Sequence, residues 1–382
     1  MKRMREPSEK LHKALYFLSG VMTVILVLVI VVGVRTMASG DSRADEEVQK
    51  TAQNQQQAGQ TMQDNTDMVQ EDTAVRQDNT QAADNSSQTT EKWQEGIITY
   101  QGKEYEYNKN IRTYLMMGVD NDEPVSAAVN YTQGGQSDAM FLLVTDTKKK
   151  TLKIISINRN TMTNIRLCDQ KGNDLGDFYS QICVQHAFGD GRRLSCSRTV
   201  DAVSRLFDNI PISGYLAMNM GGIPQMNDEV GGVEVSVLQD LEFPEQNIKL
   251  KKGDVINLSG EEAYCYLRVR DTGEFDSATD RLRREEQYIL AYINKMKATV
   301  GGNSAKAVGI YESISDYLVT SVDFTKLITE LMEYDFSDED MYTVPGETQM
   351  GKPVDGKSFE EYYADEEGLQ ELIMQMFYEE VR

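Results

Sequence analysis

Five arginines lie close together in an acidic chain: Arg268, Arg270, Arg281, Arg283 and Arg284. The formal net charge of the 382 residues is −22, so the surface as a whole repels polyanions at long range. A local arginine cluster on such a surface favours a small anion, and a guanidinium fork pairs with two phosphate oxygens at once. We therefore predict a phosphate or diphosphate site. The alternative, strongest for Arg283, is a solvated helix face with Arg–Glu pairs.

Acidic residues and one more arginine lie where apolar segments begin or end. Asp120 ends one apolar run, Asp138 precedes a second, and Arg159 follows a third. Carboxylates that converge at one rim of a sheet form, together with phosphate oxygens, a site suited to Mg²⁺ or Mn²⁺. Phosphoryl-transfer sites use acidic residues to bind a metal and arginines to bind the phosphates, so this combination indicates phosphoryl transfer. The alternative for each acid is that it caps a turn.

The composition excludes several other kinds of site. Nucleic-acid binding draws its affinity from basic surface, which this chain lacks, so we predict no nucleic-acid partner. The chain has only 2 histidines, which excludes a His-rich zinc site. Its 4 cysteines show no metal-ligand spacing. Two alternatives stay open for Cys183 and Cys196: a disulfide, if the segment is extracytoplasmic, or free buried thiols.

The apolar segments position these residues in a folded domain. We predict an α/β/α sandwich with a central mixed sheet flanked by helices, because apolar runs typical of buried strands alternate with helical patterns. A capping box at Ser259 and Glu262 begins one helix. After Leu267 we expect extended chain, in which Arg268 and Arg270 point to the same face. The predicted strands are 111–119, 140–145 and 152–157, and the predicted helices are 199–207, 259–266, 281–298 and 324–334.

The N-terminal part predicts a membrane anchor. Residues 14–34 are almost entirely apolar and long enough to span a bilayer as a helix. Basic residues within 1–13 place the N-terminus in the cytoplasm and the rest of the chain outside the cell. Residues 35–95 are rich in Gln, Asp, Thr and Ser, a composition that predicts a disordered stalk. We assign 96–300 to the catalytic domain and 301–382 to an acidic segment that packs on it.

The order and spacing of several motifs are similar to those of the LytR-CpsA-Psr family, in a clostridial-type branch. The resemblance covers roughly residues 111–297 and also fits the predicted anchor. The matching stretches are Gly118-Val119-Asp120, Gln136-Ser137-Asp138, Ile155-Ser156-Ile157-Asn158-Arg159, Asn227-Asp228-Glu229-Val230-Gly231-Gly232-Val233, Leu258-Ser259-Gly260-Glu261-Glu262-Ala263, Arg268-Val269-Arg270 and Arg281-Leu282-Arg283-Arg284-Glu285-Glu286.

The resemblance implies a membrane-anchored protein that faces the cell wall. Such proteins transfer a glycopolymer from a polyprenyl-diphosphate lipid to peptidoglycan with the help of Mg²⁺, and an apolar tunnel between sheet and helices holds the lipid tail. It implies that Asp120 and Asp138 are the metal-side acids. It further implies that the pyrophosphate is held by Arg159, Arg268, Arg270 and Arg281.

Three positions depart from the family pattern. Gln136 stands where arginine is usual, Asn160 where aspartate is usual, and Glu285 where glutamine is usual. The loss of a charged partner from a diphosphate site costs on the order of 10²-fold in rate. The alternative function is therefore a catalytically weak or inactive polyprenyl-phosphate-binding protein that acts as a scaffold or sensor in cell-wall assembly.

Overall fold

The computed structural model describes residues 96–271, 273–300, 304–322, 327, 331–334, 336–352 and 358–381. The predicted cytoplasmic tail, membrane helix and stalk lie outside the described residues, as does most of the predicted helix 324–334. Among the helices in the described ranges, none combines the length and apolarity needed to cross a bilayer.

A six-stranded mixed sheet lies at the centre of the described part. Three adjacent antiparallel strands correspond to the predicted runs, and outer strands pair parallel to the first and the third of them. In spatial order the strands are β13 (Leu318–Thr320), β8 (Gly214–Asn219), β3 (Ile111–Val119), β4 (Ser137–Asp146), β5 (Thr151–Ile157) and β14 (Met341–Thr343).

Strand β4 shows why this sheet forms. All 10 of its residues are buried, so both of its faces are covered, as expected for a continuous apolar run in the middle of a sheet. The outer strands β13 and β14 come from the chain beyond residue 300, which therefore extends the sheet at both edges.

Helices flank this sheet, which confirms the predicted mixed α/β fold with a central mixed sheet. The described helices are α1 (Arg193–Leu206), α2 (Ile223–Glu229), α3 (Gly260–Arg268), α4 (Ser277–Val300), α5 (Ser304–Ile314) and α6 (Glu366–Phe377). The capping box that begins α3 is present: the Ser259 hydroxyl accepts from the Glu262 backbone N–H, and the Glu262 carboxylate accepts from the Ser259 backbone N–H. Helix α3 ends at Arg268, one residue later than predicted, and the extended chain begins at Val269 with ψ 136°.

The remaining strands form small sheets around the centre. One has three strands, β1 (Ile97–Tyr100), β2 (Lys103–Tyr107) and β17 (Tyr378–Glu380). The other four are antiparallel pairs: β6 (Met162–Cys168) with β7 (Asp174–Gln181), β9 (Val233–Ser236) with β12 (Val255–Leu258), β10 (Leu241–Phe243) with β11 (Ile248–Leu250), and β15 (Gly346–Met350) with β16 (Glu360–Ala364).

A tight glycine turn leads into β9. Gly232 has a φ of 82°, a conformation that favours glycine. A Cβ atom at this position would lie 2.8 Å from the Leu258 carbonyl oxygen, so the close pairing of β9 with β12 also requires glycine there. Since Leu258 immediately precedes the capping box of α3, this turn fixes where the arginine-bearing helix begins.

Candidate functional site

A cleft of about 1390 Å³ brings all six predicted site residues together. They come from four parts of the chain: the end of β3, the start of β4, the end of β5, and the region that joins α3 to α4. The six residues are Asp120, Asp138, Arg159, Arg268, Arg270 and Arg281.

Asp138 lies at the centre of the charged residues and is buried, with 3% of its surface exposed. Its Oδ1 accepts from Arg159 Nε at 3.0 Å, and Arg159 Nη2 lies 2.7 Å from the same oxygen. Arg159 Nη2 also donates to the Gln136 side-chain oxygen. Gln136 therefore remains a partner of Arg159, although it brings no charge of its own.

Arg281 approaches Asp138 from the first turns of α4. Its Nη2 donates to the Asp138 backbone carbonyl at 3.1 Å and lies 3.9 Å from Asp138 Oδ2. Its Nε lies 3.4 Å from the Glu285 carboxylate, one helical turn further on. Burial lowers the pKa of Arg281 to about 10 and raises the pKa of Glu285 to about 8. The two arginines thus hold Asp138 between them, and Glu285 lies behind Arg281.

Arg268 lies in a second charged group of the cleft. Tyr264 is one turn earlier on α3, and its hydroxyl accepts from Arg268 Nη1 and donates to Asp122 Oδ1 at 2.6 Å. Arg268 Nη1 is 3.7 Å from Asp122 Oδ2, and its guanidinium lies 5.3 Å from the Tyr264 ring centroid. Sequence reasoning missed Tyr264 and Asp122, although the four-residue spacing of Tyr264 and Arg268 places both on one face of the helix.

Arg270 is the most available cation of the cleft. It is partly exposed and, within the described ranges, makes no hydrogen bond or ion pair. Burial and the positive charge of Arg159 lower its pKa, and the charge of Glu360 opposes them. A desolvated guanidinium whose donors are not used by the protein is suited to bind an anion.

Asp120 lines the same cleft as Asp138 and lies within range of its charge. Burial, and next the charge of Asp138, raise the pKa of Asp120 to about 6. A cation between the two carboxylates would remove this repulsion, and oxygen donors are the ligands that Mg²⁺ prefers. In the part of the chain that the structure describes, no group of three His, Cys, Asp or Glu residues could hold a metal alone. The donor set fits Mg²⁺ when substrate phosphate oxygens and water complete the coordination.

Two further arginines of the cluster have other partners. Arg283 is 63% exposed and pairs with Asp280 at 2.9 Å, so it lies on a solvated helix face. Arg284 is buried and donates from Nε to the Tyr266 carbonyl at 2.9 Å and from Nη2 to the Val269 carbonyl. Arg284 therefore holds the C-terminal end of α3, which carries Arg268.

Asn160 connects the cleft to the C-terminal part of the chain. Its Oδ1 accepts from Arg159 Nη1 at 3.4 Å, and its Nδ2 donates to Glu360 Oε2 at 3.3 Å. Glu360 is separated from Asn160 by 200 residues, and no local sequence signal points to it.

All four cysteines are free and buried. Of the two alternatives for Cys183 and Cys196, the structure has the free thiols. The Cys183 thiol contacts the Gln136 side-chain oxygen at 3.8 Å, behind the cleft, and Cys196 Sγ lies 3.7 Å from His186 Nε2. Burial raises the pKa of both thiols, which argues against a nucleophilic role for either.

Comparisons with known proteins agree on one family. The profile of the LytR_cpsA_psr family matches residues 44–376. The chain is 29% identical over 211 residues to the polyisoprenyl-teichoic acid–peptidoglycan teichoic acid transferase TagU of Halalkalibacterium halodurans, covering 54% of this chain and 60% of that protein. It is 31% identical over 202 residues to the transferase TagV, of the same descriptive name, from Bacillus subtilis, covering 51% of this chain and 47% of that protein.

The chain thus spans about half to three-fifths of the length of these two curated relatives. The crystal structure of B. subtilis TagV superposes with a TM-score of 0.52 at 24% identity, covering 70% of this chain and 96% of that one. At this identity the superposition shows a shared fold.

Proposed function

We propose, because this chain belongs to the LytR_cpsA_psr family, that it transfers a cell-wall glycopolymer from a polyprenyl-diphosphate lipid to peptidoglycan. In this proposal the chain is anchored by residues 14–34 with its N-terminus inside the cell, and the folded domain acts outside the membrane. The observation that carries the proposal is that four arginines and two aspartates, predicted from separate stretches of sequence, line one cleft.

The arginines would bind the diphosphate. Arg270 has its donors available. Arg159, whose side chain is 12% exposed, and buried Arg281 are both held in place by Asp138, so their orientation costs little on substrate binding. Positive groups fixed around a phosphoryl group stabilise the charge that develops on its oxygens in the transition state. Arg268, held by Tyr264 and Asp122, would contact the diphosphate from the opposite side.

The two aspartates would hold Mg²⁺ together with the phosphate oxygens. When bound, Mg²⁺ supplies charge neutralisation on those oxygens. Asp120 also has a second role in the proposal. Burial, the largest cause of its raised pKa, remains when a cation removes the repulsion by Asp138, so the Asp120 carboxylate accepts a proton more readily than an ordinary one. It would take the proton of the acceptor hydroxyl.

The reaction balances as a single phosphoryl displacement. A hydroxyl oxygen of a peptidoglycan sugar bonds to the phosphorus that carries the glycopolymer, and the bond from this phosphorus to the bridging oxygen breaks. The bridging oxygen leaves with the lipid as polyprenyl phosphate, and the hydroxyl proton goes to Asp120. The product is a phosphodiester between glycopolymer and peptidoglycan.

A specific observation favours the alternative, a polyprenyl-phosphate-binding scaffold or sensor. Asp138 Oδ1 is already paired with Arg159, and Arg268 already faces Asp122. Part of the charge that catalysis needs is therefore neutralised within the protein, which lowers turnover more than binding.

One assay separates the two functions. The full-length chain in detergent is incubated with Mg²⁺, a polyprenyl-diphosphate-linked glycopolymer and peptidoglycan fragments, and the release of polyprenyl phosphate and the glycopolymer–peptidoglycan product are both measured. Transfer by the wild type and its loss in Arg270→Ala and Asp120→Asn support the transferase. Tight lipid binding without release supports the scaffold. If the chain neither binds the lipid nor releases polyprenyl phosphate, the proposal is refuted.

Arg283→Ala is the matched control for the arginine variants. It removes the same charge from the same arginine cluster, but its side chain is exposed and is not part of the cleft lining. We expect it to retain wild-type transfer. If Arg283→Ala and Arg270→Ala lose transfer equally, the effect comes from general charge and not from the cleft.

A further inference from the structure

The hairpin β15–β16 near the C-terminus forms part of the cleft wall. Phe359, which directly precedes β16, lines the cleft. The next residue, Glu360, begins β16, and the Tyr362 backbone N–H donates to the Asn160 carbonyl at 2.9 Å. The hairpin is thus joined to the chain segment that directly follows Arg159.

Glu360 accepts hydrogen bonds from three separate segments. Its Oε1 accepts from the Asp276 backbone N–H at 2.8 Å, and its Oε2 accepts from Asn160 Nδ2 at 3.3 Å. Its backbone carbonyl accepts from Gln181 Nε2 at 2.5 Å, and Gln181 also lines the cleft. One residue therefore connects the end of β5, the end of β7 and the residue before α4.

Two of these segments carry arginines of the cleft. Asn160 follows Arg159 and accepts from its Nη1 at 3.4 Å. Asp276 directly precedes α4, and its backbone carbonyl accepts from the Thr279 N–H at 3.0 Å. Arg281 lies in the first turns of this helix. A shift of Glu360 would therefore move the supports of Arg159 and Arg281 together.

The charge of Glu360 acts on a third arginine. Arg270 and Arg159 repel each other, and the Glu360 carboxylate opposes this repulsion at Arg270. Like charges held close together spread apart unless a counter-charge lies among them. Glu360 is such a counter-charge, and it reaches the site from about 90 residues further along the chain than Arg270.

We propose that Glu360 is a positioning residue of the diphosphate site, which sets the spacing of Arg159, Arg270 and Arg281 for the diphosphate of a lipid-linked substrate. This inference rests on the proposed function. It makes the C-terminal hairpin part of the substrate-binding machinery, because the geometry of the three guanidinium groups depends on a carboxylate that the hairpin supplies.

A charge swap tests the proposal in the full-length chain. In Glu360→Gln, the amide oxygen can still accept from Asp276, but the amide nitrogen then faces the Asn160 amide, and one bond to a charged acceptor is lost. In Asn160→Asp, two carboxylates face each other. In the double variant Asn160→Asp/Glu360→Gln, the new carboxylate accepts from the new amide, so the bond and the net charge are both restored.

The measured quantities are the dissociation constant of inorganic pyrophosphate by calorimetry and the melting temperature. We expect each single variant to bind pyrophosphate about tenfold more weakly, since a hydrogen bond to a charged group is lost. In Glu360→Gln the lost spacing of the arginines outweighs the Coulombic gain from removing one negative charge. The double variant should bind within about twofold of the wild type, because the lost bond is replaced. The control Glu371→Gln removes the same charge from an exposed position of α6 and should bind as the wild type does.

Each outcome decides the inference. Weaker binding in the single variants with recovery in the double variant supports it. Unchanged binding in Glu360→Gln overturns it and leaves the proposed function intact, even if the melting temperature falls, because a purely structural residue behaves in that way. If the wild type does not bind pyrophosphate, the inference and the proposed function both fail. If Glu360→Gln does not fold, Asn160→Asp and the double variant give the same comparison.

Discussion

The substitution Glu285→Gln gives a sharp test of the electrostatics behind the cleft. Glu285 is 1% exposed, and burial raises its pKa from 4.5 to about 8. The positive charges of Arg281 and Arg284 oppose this shift, and the negative charges of Asp138 and Glu286 add to it. At neutral pH the carboxyl group is therefore mostly protonated, and glutamine has nearly the same shape and charge.

The raised pKa determines how stability depends on pH. Because the folded-state pKa of Glu285 lies above the unfolded value, its contribution is complete below about pH 4.5 and is lost as the pH rises through about 8. A tenfold change in proton affinity is worth about 1.4 kcal/mol, so the loss is at most about 5 kcal/mol. This limit already includes the opposing charges of Arg281 and Arg284, and relaxation of the site around an ionised Glu285 should reduce the loss to about 2 kcal/mol.

The assay is urea unfolding of wild type and Glu285→Gln between pH 5 and pH 9. We expect the two free energies of unfolding to be similar near pH 5 and the variant to become the more stable protein as the pH rises, with a constant difference above about pH 8. Glu371→Gln, which is exposed, should follow the wild type at every pH. Parallel curves for wild type and Glu285→Gln, or a variant that is less stable at pH 8, would refute the reasoning.

The same substitution should change anion binding at high pH. A phosphate on the far side of the Arg281 guanidinium would lie roughly 8 Å from an ionised Glu285, and at an effective dielectric constant of about 20 this costs about 2 kcal/mol. After screening we expect Glu285→Gln to bind pyrophosphate about tenfold more tightly than the wild type at pH 9. At pH 6.5 the two should bind equally, and a difference at that pH would contradict a protonated Glu285.

Three other predictions concern stability and the thiols. Arg284→Ala removes the donors to two carbonyls at the end of α3 and should lower the free energy of unfolding by about 3 kcal/mol in urea titrations. The control Arg283→Ala changes an exposed residue and should alter the free energy of unfolding by less than about 0.5 kcal/mol. Ser259→Ala removes the capping box and should cost about 1 kcal/mol in the same titration, with Ser259→Thr near wild type. A thiol reagent should label none of the four cysteines in the folded protein and all four in urea. Labelling of fewer than four cysteines in urea would indicate a disulfide.

The sequence predicts the centre of the fold well because the signals there are local. The strands 111–119, 140–145 and 152–157 are largely apolar runs, and a run of this kind is stable only where both faces of a strand are covered. The capping box sets the start of α3, whereas the spacing of Arg268 and Arg270 placed the start of the extended chain one residue too early, because Arg268 is the last residue of the helix.

Spacing alone did not separate the roles of neighbouring arginines. Arg281 and Arg284 are three residues apart on one side of α4 and are both buried, yet Arg281 reaches Asp138 and Arg284 binds the carbonyls at the end of α3. Helical periodicity gives the face of a residue, whereas its partner depends on what packs against that face. Glu360 had no signal at all, because its contacts join segments far apart in the chain.

The three departures from the family pattern act on the same charges. Gln136 and Asn160 both accept hydrogen bonds from Arg159, and Glu285 lies beside Arg281. The usual arginine at position 136 and the usual aspartate at position 160 carry opposite charges, so the loss of both leaves the net charge of the site unchanged. Glu285, with a pKa of about 8, adds little charge at neutral pH. The departures therefore preserve the charge around Arg159 and Arg281 while changing which groups hold them, which supports a working diphosphate site over a disabled one.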